Sequence, residues 1–107
     1  MIIGDNMNKI EIHINNMINK IHIHINVKTY KMIINNEEKN ITQDHIDALL
    51  RIIRTWNTSY ENTDNQIDNE TFLINISTEE GIYTIKGNGN YPKNYNLFKD
   101  WIGEFYE

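Results

Sequence analysis

Residues 9–27 read KIEIHINNMINKIHIHINV. Isoleucine takes every second position twice over, at Ile10, Ile12 and Ile14 and again at Ile21, Ile23 and Ile25, with Val27 continuing the second series. Successive side chains on a strand point to opposite faces, so strict alternation of β-branched with polar residues marks two half-buried strands that share one apolar face. Between them, residues 15–20 are rich in asparagine, which tolerates the left-handed conformations of tight connections. The stretch is an antiparallel hairpin that floors the core.

The pattern extends outward from that hairpin. Tyr30, Met32, Ile33 and Ile34 predict a third strand that ends at a polar turn over 35–39, and Ile41 adds at most a short return strand. Thr42 is placed as an N-cap, with Asp44 in the first turn where negative charge suits the helix dipole. Ile46, Leu49, Leu50 and Ile53 recur at i, i+3, i+4 and i+7, the stripe of a buried helix face, and Trp56 closes it. Asp47 and Arg51 have the spacing of an i, i+4 ion pair.

Residues 57–66 form a polar loop longer than most connections, which makes it a mobile segment or a contact surface. Phe72, Ile74 and Ile76 begin a second hairpin that turns at 77–81 and is broken by the Gly87-Asn88-Gly89-Asn90 run. Pro92 fixes an entry angle, and Asn94 caps a last helix whose stripe is Phe98, Trp101, Ile102 and Phe105. The expectation is a single α+β domain over 1–107. It comprises an antiparallel sheet of about five strands with two helices on one face, in the order β-β-β-α-β-β-α.

Composition narrows the function. The chain has no cysteine, which removes disulfides, thiolate metal sites and cysteine nucleophiles. No stretch approaches the roughly 20 apolar residues of a membrane span, and a cytoplasmic location is expected. The net charge of −5 is uneven: residues 1–36 hold four lysines against two acids, and residues 37–107 hold six basic residues against thirteen acids. Phosphates repel such a surface, so direct nucleic-acid binding is not expected and a basic protein partner is, a nucleic-acid-binding protein being one such class.

Histidine is the feature closest to chemistry. If the isoleucines of the first hairpin face the core, Glu11, His13, His22 and His24 share the opposite face, in a donor set suited to zinc. A half-exposed sheet face produces the same alternation without any ligand. Asp64, Gln66 and Asp68 follow the first spacings of a calcium loop, but Asn69 stands where glycine is needed and Asn75 where a bidentate glutamate is needed. Ser59 and Ser77 lie outside any nucleophile context, and no catalytic assignment follows.

Partner contacts are expected from the acidic half. Glu61, Asp64, Asp68, Glu70, Glu79, Glu80, Asp100 and Glu104 supply charge, and Tyr60, Tyr91 and Tyr95 serve as aromatic anchors. The C-terminal pattern, a hairpin followed by Gly-x-Gly-x-Tyr-Pro and a helix with Phe98, Trp101 and Ile102, resembles the ends of small proteins of low-GC bacteria and their phages. That resemblance covers about the last third of the chain and implies no activity. The reading is a non-enzymatic acidic module that occupies a basic site on a partner, as anti-defence inhibitors such as anti-CRISPR proteins and toxin-immunity proteins do. The alternatives are a histidine metal-binding protein and a homodimer paired through the histidine face.

Overall fold

Two asparagine devices set the registry of the first three strands. In the computed structural model, which describes residues 7–61 and 70–105 with Glu61 through its backbone alone, strand β1 (Met7–Asn15) meets β2 (Lys20–Asn26) across a short turn. Asn16 closes that turn, its Oδ1 accepting from the backbone N–H groups of Ile18 (2.9 Å) and Asn19 (2.7 Å). Met17 and Ile18 stand exposed at its tip and take no part in the alternation. A second such turn follows β2: Asn26 Oδ1 accepts from Lys28 and Thr29, and Tyr30 takes a positive φ of 56°. The expected strand through residues 28–30 is therefore a reversal, and β3 (Lys31–Ile34) runs antiparallel to β2.

The expected polar turn at 35–39 is narrower than its composition suggests. Asn35 and Asn36 alone make it, with φ of 46° and 72°, the paired left-handed conformation of a two-residue hairpin loop. Glu37–Asn40 then pairs with β3 as an edge strand, β4, in spite of its low β-propensity. A charged, four-residue strand is also a poor template for further pairing.

Helix α1 (Gln43–Ile53) starts where the sequence places it. Thr42 Oγ1 accepts from the His45 N–H at 3.2 Å, and His45 Nδ1 accepts from the Thr42 N–H at 3.1 Å, a reciprocal cap with histidine in the usual place of glutamate. Asp47 accepts from Gln43 at 2.8 Å rather than pairing with Arg51. After α1 comes β5 (Ser59–Glu61), three residues within the expected loop that pair parallel to β7. β6 (Thr71–Thr78) and β7 (Gly81–Asn88) form the second hairpin, and α2 (Tyr95–Gly103) is the last element.

The sheet is thus mixed and seven-stranded, in the order β4-β3-β2-β1-β6-β7-β5, with β5–β7 its one parallel pair among the described residues. This corrects the expected sheet of about five antiparallel strands and its order β-β-β-α-β-β-α, because β4 and β5 carry no hydrophobic alternation to announce them. β1 lies at the centre, paired with both β2 and β6, so the first hairpin joins the two halves of the chain.

Ile10, Ile12, Ile23, Ile25, Ile74, Ile76 and Ile85 are fully buried in one cluster with Ile46, Leu49 and Ile53 of α1 and Phe98, Trp101 and Ile102 of α2. Both helices therefore cover the same face. Burying one such side chain is worth about 1.5–3 kcal/mol, and the alternation commits a whole face at once.

Asn94 departs from its expected role. It sits at the N-cap of α2, but its side chain makes no capping bond. Instead its Oδ1 accepts from the Trp56 indole N–H at 2.6 Å and its Nδ2 donates to the Ile52 carbonyl at 3.0 Å, tying α2 to the end of α1. Asn94→Ala is expected to cost about 2 kcal/mol by leaving a donor and an acceptor unpaired. Asn94→Asp restores the acceptor for Trp56 alone and should fall between the two in urea denaturation. Equal stability of Asn94→Ala and the parent would sink this account.

Candidate functional site

The face of the sheet opposite the helices carries the outward residues of every strand. On β1 and β2 these include Glu11, His13, His22 and His24, the set expected from the alternation. The register puts Glu11 opposite His24 and His13 opposite His22. The two facing imidazoles stack with centroids 4.1 Å apart and planes inclined by 24°.

Glu11 is held from two sides. Its Oε1 lies 3.1 Å from Lys9 Nζ, and its Oε2 lies 3.8 Å from His13 Nε2. The hydrogen bond from Lys9 holds the carboxyl below its ordinary range against partial desolvation, and Lys9, His24 and His13 add favourable charge. One donor atom each from Glu11, His13 and His22 lie within 4.8 Å of one another. His22 and His24 also line a hollow of about 400 Å3 with Ile33, Asn35 and Asn36.

Two residues behind this arrangement carry no distinguishing signal in the sequence: by pattern Lys9 is only the first residue of a strand, and Asn35 only part of a turn. Asn35 in fact extends the β2 ladder past the end of β3: its N–H donates to the His22 carbonyl at 3.0 Å and its Oδ1 accepts from the His22 N–H at 2.8 Å. Its Nδ2 donates to the Lys20 carbonyl at 3.1 Å.

The expected partner-binding residues divide into distinct groups. Glu70, Tyr91 and Tyr95 come together with one another. Glu70 Oε1 accepts from Asn16 and Lys99, both at 2.8 Å, and Oε2 accepts from Tyr95 Oη at 2.5 Å. Tyr91 Oη donates to the Glu70 carbonyl at 2.8 Å, and the two tyrosine rings stack at 4.7 Å. Burial works against the Glu70 charge, but hydrogen bonds from Lys99, Tyr95 and Asn16 outweigh it and keep the carboxyl below its ordinary range. The same burial, followed by the Glu70 contact, pushes the Tyr95 phenol strongly upward, and burial raises Tyr91. Tyr60 is half-buried, with its Oη accepting from the Asn57 N–H at 2.8 Å.

Glu79, Glu80, Asp100 and Glu104 are different. All four are exposed, and among the described residues their carboxylates accept no hydrogen bond and form no ion pair. Glu79 and Glu80 lie in the β6–β7 turn. Asp100 and Glu104 border a groove between α1 and α2 whose lining includes Ala48, Ile52 and the half-exposed Leu97, together with Arg51 and Asn94. Asp64 and Asp68 lie outside the described residues, as do Gln66 and Asn69 of the suspected calcium loop, and Glu61 is placed only as backbone in β5.

The Gly87-Asn88-Gly89 run does not break β7 where expected, since Gly87 and Asn88 are its last two residues. Among the described residues no helix is long and apolar enough to cross a membrane. Comparison of the chain with known protein families, with curated proteins and with solved structures finds no match.

Proposed function

We propose that this chain is a non-enzymatic protein-binding module that acts by occupying a basic site on a partner, in the manner of anti-defence or toxin-immunity inhibitors. The observation that carries the reading is the division of its carboxylates. Glu11 and Glu70 are neutralised within the fold, whereas Glu79, Glu80, Asp100 and Glu104 are exposed and unpaired among the described residues. The groove between the helices gives two of these acids apolar neighbours in Ala48, Ile52 and Leu97, beside a single cation, Arg51. A lysine or arginine from a partner lays its aliphatic stem on Ile52 and Leu97 and brings its charge to Asp100 and Glu104. Such pairing speeds encounter and sets register more than it adds affinity.

The test uses tagged protein in a lysate of the organism that encodes it, washed at low and then moderate salt. A single basic protein is expected to be retained at about 50 mM salt and to weaken by about 150 mM, where the screening length is roughly 8 Å. The doubly reversed variant Asp100→Lys/Glu104→Lys is expected to lose that protein at low salt. Retention of the same protein by the reversed variant would place the contact elsewhere and sink the groove reading.

A further inference from the structure

We infer that the face of the sheet opposite the helices carries a binding site for a divalent transition-metal ion, zinc by its donor chemistry, formed by Glu11, His13 and His22. The site is separate from the acidic groove and does not rest on it. Two imidazoles and a carboxylate are borderline-to-hard donors suited to zinc, which needs three protein ligands and accepts water in the fourth position.

The geometry is close to what the ion requires. Zinc at about 2.0–2.1 Å from each donor sets tetrahedral ligand atoms about 3.4 Å apart. The three donor atoms here already lie within 4.8 Å of one another, so side-chain rotations alone bring them together. Register fixes the rest: His13 and His22 are direct cross-strand partners, and Glu11 is two residues from His13 on the same face of β1. Neither strand has to move.

The surroundings are those of ligands held in place. Lys9 occupies Oε1 of Glu11 and leaves Oε2, the oxygen nearer His13, for an ion. It orients the carboxylate, as outer partners of ligating carboxylates do. Asn35 occupies both the N–H and the carbonyl of His22, so the backbone that carries this ligand is fixed although β3 pairing stops at Ile23. His24 lies opposite Glu11 and outside the tight group of three.

The experiment is a zinc titration of the tag-free, metal-stripped chain against a chromophoric chelator at pH 7.5, with circular dichroism to confirm that each variant is folded. One zinc per chain is expected. His13→Ala and His22→Ala should each weaken binding by at least about tenfold, and Glu11→Gln by about tenfold, the scale on which even outer partners act. Both histidines are outside the core, so the alanine variants keep the fold. His45→Gln, which preserves a capping-box residue on α1, should bind as the parent does. In proton spectra, zinc should shift the ring signals of His13 and His22 and leave those of His45 in place.

Three results would overturn the assignment. One is a parent affinity no greater than that of the His13→Ala/His22→Ala double variant. Another is an equal loss in His45→Gln. The third is half a zinc per chain, which would mean an ion shared between two copies instead of a site complete in one.

Discussion

Glu70→Ala is expected to destabilise the fold by about 3 kcal/mol. The residue lies immediately before β6, and its carboxylate gathers three groups from two parts of the chain: Asn16 from the first turn, and Tyr95 and Lys99 from α2. Hydrogen bonds to a charged group are worth about 1.5–3 kcal/mol each. The Lys99 contribution is discounted because that side chain is a third exposed and solvent screens it. What remains is the Tyr95 phenol, half-buried and short-bonded, and the amide of Asn16, each left without an acceptor. Removing one partner from such a group costs more than the group contributes as a whole. Urea denaturation measures the loss, and a cost below that of an ordinary surface substitution, about 0.5 kcal/mol, would show that α2 is held without this cluster.

The sign of the pH dependence separates the charge from the shape. Glu70 is ionised more readily in the folded protein than in the unfolded chain, where its pKa is about 4.3. Its stabilisation is therefore complete above that unfolded value and is lost as pH falls through the lower folded one. The parent should be more stable than Glu70→Gln at pH 6, and the gap should close as the solution is taken below about pH 4. Tyr95 acts at the other end. Its folded phenol resists ionisation, so stability is complete below the unfolded value of about 10 and declines as pH rises beyond it. Tyr95→Phe should flatten that alkaline limb.

How much of this was legible depends on whether a residue's role is set by its neighbours in sequence or by partners far away. Ile10 through Ile25 announce their face by period alone, and the gathering of Glu11, His13, His22 and His24 on the opposite face follows from it; period leaves His13 opposite either His22 or His24, and the register set by the Asn16 turn decides for His22. The stripes of α1 and α2 follow from period in the same way. Glu37–Asn40 has no such period and becomes a strand because Asn35 and Asn36 turn β3 back on itself. Glu70 looks in sequence like any acid of the second half, and only the meeting of α2 with the β1–β2 turn makes it a hub. Asn94 has the composition of a cap, but the nearby Trp56 indole claims its side chain.

Gly87→Ala is the other change expected to have a large effect, again about 3 kcal/mol. Two opposing terms meet at this position. Glycine inside a strand is ordinarily worse than alanine by roughly 0.5–1 kcal/mol, because it loses more backbone freedom on folding. That term alone would make the substitution stabilising.

The opposing term is steric. Gly87 faces the core directly opposite Phe72, and a Cβ placed on it would lie 2.2 Å from Phe72 Cε1 and 2.6 Å from Cζ. The ring cannot swing away freely: Trp56, Tyr60, Tyr91 and Tyr95 surround it with centroids between 5.1 and 6.3 Å, and the residue is 2% exposed. Overpacking of this kind costs about 1–3 kcal/mol, and displaced aromatic pairs cost about 0.5–1.5 kcal/mol each, so the clash wins.

Phe72→Leu tests the cause. Alone it should destabilise by opening space among the tyrosines, but combined with Gly87→Ala it frees the volume that the new methyl group needs. The double variant should be more stable than the sum of the two single losses by about 1–2 kcal/mol, a coupling in the range seen for residues in direct contact. Strict additivity in urea denaturation would mean that the methyl group is opposed by something other than the ring, and that β7 tolerates glycine here for a reason unrelated to Phe72.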